Sequence, residues 1–323
     1  MPFVNVETQT GNVRYHYTIS TPASNNASFL QPNLPTILFV HCVFATQMVF
    51  HSQFADPHLR RFNLVTFDIR EHGGTKGERI PEKYDQSDTA DDTLRFMNAI
   101  SLPPCHICAL GSGTTMALEL AIRYPERVLT LTLLSQLCLE APPDVSEGFK
   151  EVFLRWMSAH PNAETVNEEF LEEAELGLAQ YAFTDLTHVS KLGINNPFHL
   201  QRYQPTIMAS RRSHTVSELS RLTCPVLLID GGNGVAYPPD YTERLQKQFE
   251  EAGVEVSSYT VPNAPHFLCV DYGDVVNPLI YDLVMSKSNG PLYSALNGIS
   301  DGCQFTLVLR TATSRMERSW WWL

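Results

Sequence analysis

Apolar residues follow two alternating rhythms along this chain. Continuous apolar runs occupy residues 36–40 (TILFV), 62–67 (FNLVTF), 105–110 (CHICAL), 128–134 (VLTLTLL) and 224–229 (CPVLLI). Such runs predict strands covered on both faces, because a strand with one wet face alternates instead. Between two of them Leu94, Met97 and Ile100 recur every third residue, and Phe96 widens the stripe. That spacing predicts a helix over 88–100, and similar patterns predict helices over 115–124, 241–252 and 274–285. Residues 4–8 and 13–19, joined by Thr10-Gly11-Asn12, predict an antiparallel hairpin, and 254–261 predicts a last strand. Eight strands alternating with helices predict a mostly parallel sheet with helices on both faces, an α/β fold.

The rhythm breaks over residues 139–215, which are helical, acidic and aromatic. The pattern therefore divides the chain into a core (1–138 and 216–285), a helical insertion after the sixth strand (139–215) and an extension (286–323). The extension is rich in Ser, Gly and Asn, holds one possible strand at 305–309 and ends Trp320-Trp321-Trp322-Leu323. It completes no further strand–helix unit. A poorly ordered tail fits it first, an incorrectly assigned final exon second and an aromatic docking motif third.

Composition narrows the class. With 43% hydrophobic and 18% charged residues the chain has ample material for a core. A net charge of −12 without a dense Lys/Arg cluster argues against nucleic acid or an anionic membrane as partner. No apolar stretch approaches the roughly 20 residues of a transmembrane segment. The start Met1-Pro2-Phe3-Val4-Asn5 lacks the features of a secretory signal. Seven cysteines, an odd number set mostly in strand-like contexts, predict reduced thiols and an intracellular, cytoplasmic location. Cys105-His106-Ile107-Cys108 has the look of a metal half-site, but no second Cys/His pair follows at ligand spacing. No metal is expected there.

The stretch His106-Ile107-Cys108-Ala109-Leu110-Gly111-Ser112-Gly113-Thr114-Thr115-Met116-Ala117 runs from a strand through a glycine turn straight into a helix. It resembles the nucleophile elbow of the α/β-hydrolase superfamily. Residues 1–285 resemble that superfamily in the order of elbow, cap, acid loop and histidine loop, of the esterase, C–C hydrolase and epoxide-hydrolase kind. The resemblance implies the α/β-hydrolase fold, with residues 139–215 as its cap, no cofactor, and a small apolar substrate or ligand. The cap aromatics Phe149, Phe153, Trp156, Phe170, Tyr181 and Phe183 are candidates to line that pocket or to form the cap's own core. Residues 5–20 and 50–57 look more narrowly like hydrolases of fungal secondary-metabolite clusters. Some of those are peroxisomal, although the terminus Trp321-Trp322-Leu323 is not a Ser-Lys-Leu signal.

An elbow reads small-x-nucleophile-x-small. With Gly111 at the apex the flanks are Ala109 and Gly113, and the helix presents Ala117 and Ala121 to the strand. With Ser112 there, the flanks become Leu110 and Thr114. The steric pattern favours Gly111, which tolerates strained backbone angles. The resemblance gives the other roles. Val40-His41-Cys42-Val43-Phe44 stands for the oxyanion loop, with Cys42 where glycine is usual, so that the N–H groups of Val43 and Ser112 would hold an oxyanion. Asp68-Ile69-Arg70-Glu71-His72-Gly73-Gly74-Thr75 is a turn of the fold, with Glu71 replacing a glycine and His72 a structural residue. In the acid loop, Gly234 stands where an Asp belongs. Asn233 is one substitute, Glu140 another, and Asp230 closes the strand behind. Val261-Pro262-Asn263-Ala264-Pro265-His266-Phe267 resembles the loop carrying the catalytic histidine, with Asn263 for glycine.

Three readings of activity remain open. A hydrolase would use Ser112, shifted by one residue, with His266 as base. A lyase or isomerase would need only His266 to move a proton. A pseudoenzyme would bind a ligand or partner, as in the N-myc-downstream-regulated family.

Overall fold

The computed structural model describes residues 2–81, 83–137, 143–161, 165–183, 214–234 and 239–288. Strands are β1 (Phe3–Thr8), β2 (Gly11–Ser20), β3 (Thr36–Val40), β4 (Asn63–Phe67), β5 (Lys76–Gly77), β6 (Cys105–Leu110), β7 (Val128–Leu134), β8 (Val226–Gly231) and β9 (Val256–Val261). Helices are α1 (His51–Ala55), α2 (Gln86–Ala99), α3 (Gly113–Arg123), α4 (Pro143–Ala159), α5 (Glu168–Ala182), α6 (Val216–Leu219), α7 (Pro239–Glu251), α8 (Leu268–Asp271) and α9 (Gly273–Ser286).

The strands lie in the order β1-β2-β4-β3-β6-β7-β8-β9, and the two-residue β5 pairs with β2. Pairing is antiparallel around β2 and parallel from β4 through β9. The eight main strands are those the apolar runs predict. The ninth, Lys76–Gly77, is too short and too polar to leave an apolar signal.

Burial explains the runs. Every position of β3, β4 and β6 is buried, which is why these strands do not alternate. The edge strand β9 is exposed at Ser258, Tyr259 and Thr260, half-buried at Val256 and Ser257 and buried at Val261, and it carries polar residues accordingly. Helix α2 begins at a capping box, in which Asp85 accepts from the Ser87 and Asp88 N–H groups and Asp88 accepts from the Asp85 N–H. Phe96 of this helix stacks on Phe67 at 4.4 Å between ring centres, with Tyr15 packed against both.

Residues 1–288 form one compact unit. Helices α4 and α5 fill part of the insertion between β7 and β8. Residues 184–213 and 289–323, including the strand expected at 305–309, lie outside the described residues, as do Cys138 and Glu140. Because β3, β6, β8 and β9 run parallel, the loops leaving their carboxyl ends gather on one edge of the sheet. The order reverses where β3 has β4 on one side and β6 on the other, the place where open α/β sheets bind ligands.

Candidate functional site

The turn between β6 and α3 is built from three small residues. Gly111 holds φ +52°, its N–H donates to the Leu134 carbonyl at 2.9 Å, and its carbonyl accepts from Thr114 Oγ1 at 2.6 Å. Ser112 is helical (φ −65°, ψ −21°) and immediately precedes α3, with no capping hydrogen bond from its side chain. A Cβ at Gly113 would come within 2.6 Å of the His41 carbonyl oxygen and 2.7 Å of that of Val40, so only glycine lets the turn lie against the end of β3. A Cβ at Gly111 would lie 3.1 Å from Cys42 Cβ, 3.6 Å from Cys42 Sγ and 3.7 Å from His266 Nε2. The side-chain position of residue 111 therefore points between Cys42 and the imidazole.

Ser112 does something different. Its Oγ accepts the backbone N–H of Val43 at 2.8 Å. The N–H that the sequence assigns to oxyanion binding is engaged by the serine's own hydroxyl. Cys42, buried, lies on one side of the residue 111 side-chain position, and burial pushes its thiol well above the ordinary range.

Two histidines brace the 41–45 loop. His41 Nε2 accepts the Ile69 N–H at 2.9 Å, which leaves the proton on Nδ1 to be donated to the Cys42 carbonyl at 2.8 Å. His72 repeats the arrangement, accepting the Phe44 N–H at 3.3 Å through Nε2 and donating from Nδ1 to the Arg70 carbonyl at 2.8 Å. Burial, together with the neighbouring His41, lowers His72 to about 3, and burial lowers His41 as well. Both rings are neutral and structural. Asp68 completes the brace: its carboxylate accepts the Gln47 and Gly74 N–H groups at 2.9 Å each and meets His16 Nδ1 at 2.6 Å. Burial alone would raise that carboxyl, but His41 and these hydrogen bonds bring it below its ordinary value.

Of the three positions where the sequence departs from a family glycine, two are left-handed and Cys42 is not. Glu71 has φ +67° and Asn263 φ +62°. Asparagine adopts this region at small cost, whereas glutamate does so under strain.

The acid and histidine loops are in backbone contact. A Cβ at Gly231 would collide with the Ala264 and Pro265 carbonyls, and the Asn233 N–H donates to the Ala264 carbonyl at 3.0 Å. Asn233 is itself exposed and Gly234 is half-buried. Asp230 is buried, accepting from Thr242 Oγ1 at 2.6 Å and facing Gln136 Nε2 at 3.5 Å. Sequence reasoning missed Gln136 and Thr242. Gln136 stands just past β7, but a lone polar residue after a strand carries no periodic signal.

Burial raises Asp230 to about 6, against the smaller lowering effects of Thr242 and Gln136. A carboxyl raised on folding gives stability that is complete below its unfolded value near 4 and is lost as pH rises through about 6. Asp230→Asn is therefore expected to stabilise the protein by about 2 kcal/mol at pH 8 and by nothing measurable at pH 4. Urea midpoints at the two pH values check this, and equal gains at both would refute it.

His266 is 4% exposed, and burial lowers it to about 3. The next residue ties its loop to the inserted helices. The Phe267 N–H donates to the Ala182 carbonyl at 2.8 Å, and its ring meets Phe183 edge-on at 5.5 Å. On the other flank Phe44 stacks on Trp156 of α4 at 5.4 Å. Helices α4 and α5 thus contact the 41–45 loop and the His266 loop together. The side chains of Phe149 and Tyr181 lie outside the described residues. Among the described residues no group of three or more His, Cys, Asp or Glu side chains could hold a metal ion, and no helix is long and apolar enough to cross a membrane.

Known proteins share this architecture. The chain is 22% identical over 250 residues to a provisionally named carbamate hydrolase of Pantoea ananatis, covering 71% of this chain and 81% of that one. It is 24% identical over 222 residues to the pimeloyl-[acyl-carrier protein] methyl ester esterase of Nitrosospira multiformis, covering 67% and 81%. A thermophilic esterase from Thermogutta terrifontis superposes with a TM-score of 0.70 at 16% identity, covering 90% of this chain and all of that one. The sequence profile of the alpha/beta hydrolase fold matches residues 35–271, and with the strand order and the turn after β6 it makes this chain a member of the α/β-hydrolase superfamily.

Proposed function

We propose that this chain hydrolyses a small, largely apolar ester or thioester at the edge where β3, β6 and β9 end, with His266 as the general base. One observation carries the reading. His266 Nε2 is buried and lies 3.7 Å from the side-chain position of residue 111, at the apex of the turn where this fold reacts. The relatives named hydrolase and esterase support carbonyl chemistry. Trp156 and Phe183, both buried against the two loops, support an apolar ligand under α4 and α5, acting as the cap. The likeness of residues 5–20 and 50–57 to fungal cluster hydrolases supports a secondary metabolite as the natural ester.

A second reading, a binding protein without turnover, is favoured by Gly111 and Gly234, which offer no side chain for a nucleophile or an acid. Turnover of p-nitrophenyl butyrate separates the two. The wild-type protein is expected to exceed the buffer rate, and His266→Gln to lose that excess by about 10²–10⁴-fold, the usual worth of a general base. A folded wild-type protein without turnover, whose melting temperature rises with apolar esters, would establish the second reading instead.

A further inference from the structure

We infer that the nucleophile at this site is a water molecule, seated beside His266 in the space a side chain at residue 111 would enter, so that the ester is cleaved in one displacement without an acyl-enzyme. The inference rests on the hydrolytic reading and specifies its nucleophile.

Three observations carry it. The left-handed backbone of Gly111 places its side-chain position between Cys42 and His266, 3.7 Å from His266 Nε2, within reach of a base for a nucleophile seated there. Glycine supplies no reacting atom there. The adjacent hydroxyl, on Ser112, is turned to the Val43 N–H at 2.8 Å. Cys42 does not replace it: its thiol is fully buried and held well above the ordinary range, where a thiol is inert.

The step balances without a further reactant. A lone pair of the water oxygen forms the new bond to the ester carbonyl carbon as His266 Nε2 takes one water proton. The carbonyl π pair moves onto oxygen, which would take its hydrogen bond from the Ser112 hydroxyl. That hydroxyl accepts from Val43 and still has its own proton to donate, and a hydroxyl that accepts a hydrogen bond becomes a stronger donor. Collapse of the intermediate breaks the bond to the leaving alcohol, which recovers the proton from His266. Burial keeps His266 neutral in the resting protein and opposes its protonation, and the oxyanion forming beside it offsets that cost during the step.

The test uses the full chain with p-nitrophenyl butyrate and a fluorophosphonate probe. Rapid mixing is expected to show no burst of p-nitrophenol, intact mass no butyryl adduct, and the probe no labelling. Ser112→Ala is expected to lower turnover by about 10²-fold, the usual worth of one oxyanion donor, without abolishing it, because the water and His266 both remain. Gly111→Ala, which fills the seat without adding a nucleophile, is expected to lose turnover by about 10²-fold or more while His266 stays in place. A stoichiometric burst, or labelling that disappears in Ser112→Ala, would overturn the inference and leave hydrolysis by Ser112 standing. Absence of turnover in the folded wild type would instead remove the hydrolytic reading itself.

Discussion

Acidifying the protein from pH 7 to pH 4 is expected to remove most of its stability. His72 and His266 fall to about 3 on folding and His106 to about 4, each chiefly through burial. In the unfolded chain a histidine titrates near 6.5. Between these limits the unfolded state binds more protons, so stability rises with pH. A lowered histidine thus contributes fully above about 6.5 and progressively less as pH falls toward its folded value. Near pH 4 each of the three has forfeited about 3 kcal/mol, a sum comparable to the whole stability of an ordinary domain. Asp230 works in the opposite sense and returns part of the loss, since its raised carboxyl favours the acid side. Urea unfolding at pH 7, 5 and 4 measures the balance. A midpoint that does not move across this range would sink the expectation.

Gly113→Ala is expected to cost about 3 kcal/mol or more, among the larger effects of a single methyl group. The added carbon would meet two backbone carbonyls at the end of β3, and neither can turn aside without disturbing the pairing of that strand with β4 and β6. Gly148, inside α4, is the control, because a Cβ there meets nothing within 4 Å. Gly148→Ala is expected to stabilise by about 0.5–1 kcal/mol through helix propensity. If chemical denaturation gave the two substitutions similar effects, the close contact between the turn and β3 would not be governing the fold.

What could be read from the sequence follows from what each feature depends on. The buried strands announce themselves because burial on two faces demands apolar residues at every position, as in Thr36–Val40 and Asn63–Phe67. The two-residue strand Lys76–Gly77 gains its place from pairing with β2 alone, so no pattern marks it. At the site, the spacing of small residues directs attention to Gly111 and Gly113, and that pattern is local. The engagement of the Val43 N–H by Ser112 is not local, since it joins residues 69 apart. Gln136 and Thr242 escape for the same reason: each meets Asp230 only once three separate elements have packed. His72 is readable as structural from its turn, but its partner His41 is not, because the pair forms only when two loops bring the rings together edge to face, 5.6 Å between centres.

The hydrogen bond from the Phe267 N–H to the Ala182 carbonyl has a mechanical consequence. It fastens the last turn of an inserted helix to the residue next to His266, with one peptide unit between them. A ligand that shifts α5 by a fraction of an ångström would move the imidazole with it. On the proposed function, occupancy beneath the insertion and alignment of His266 would then be a single coordinate, since the helices over a substrate would also set the angle at which the imidazole meets it.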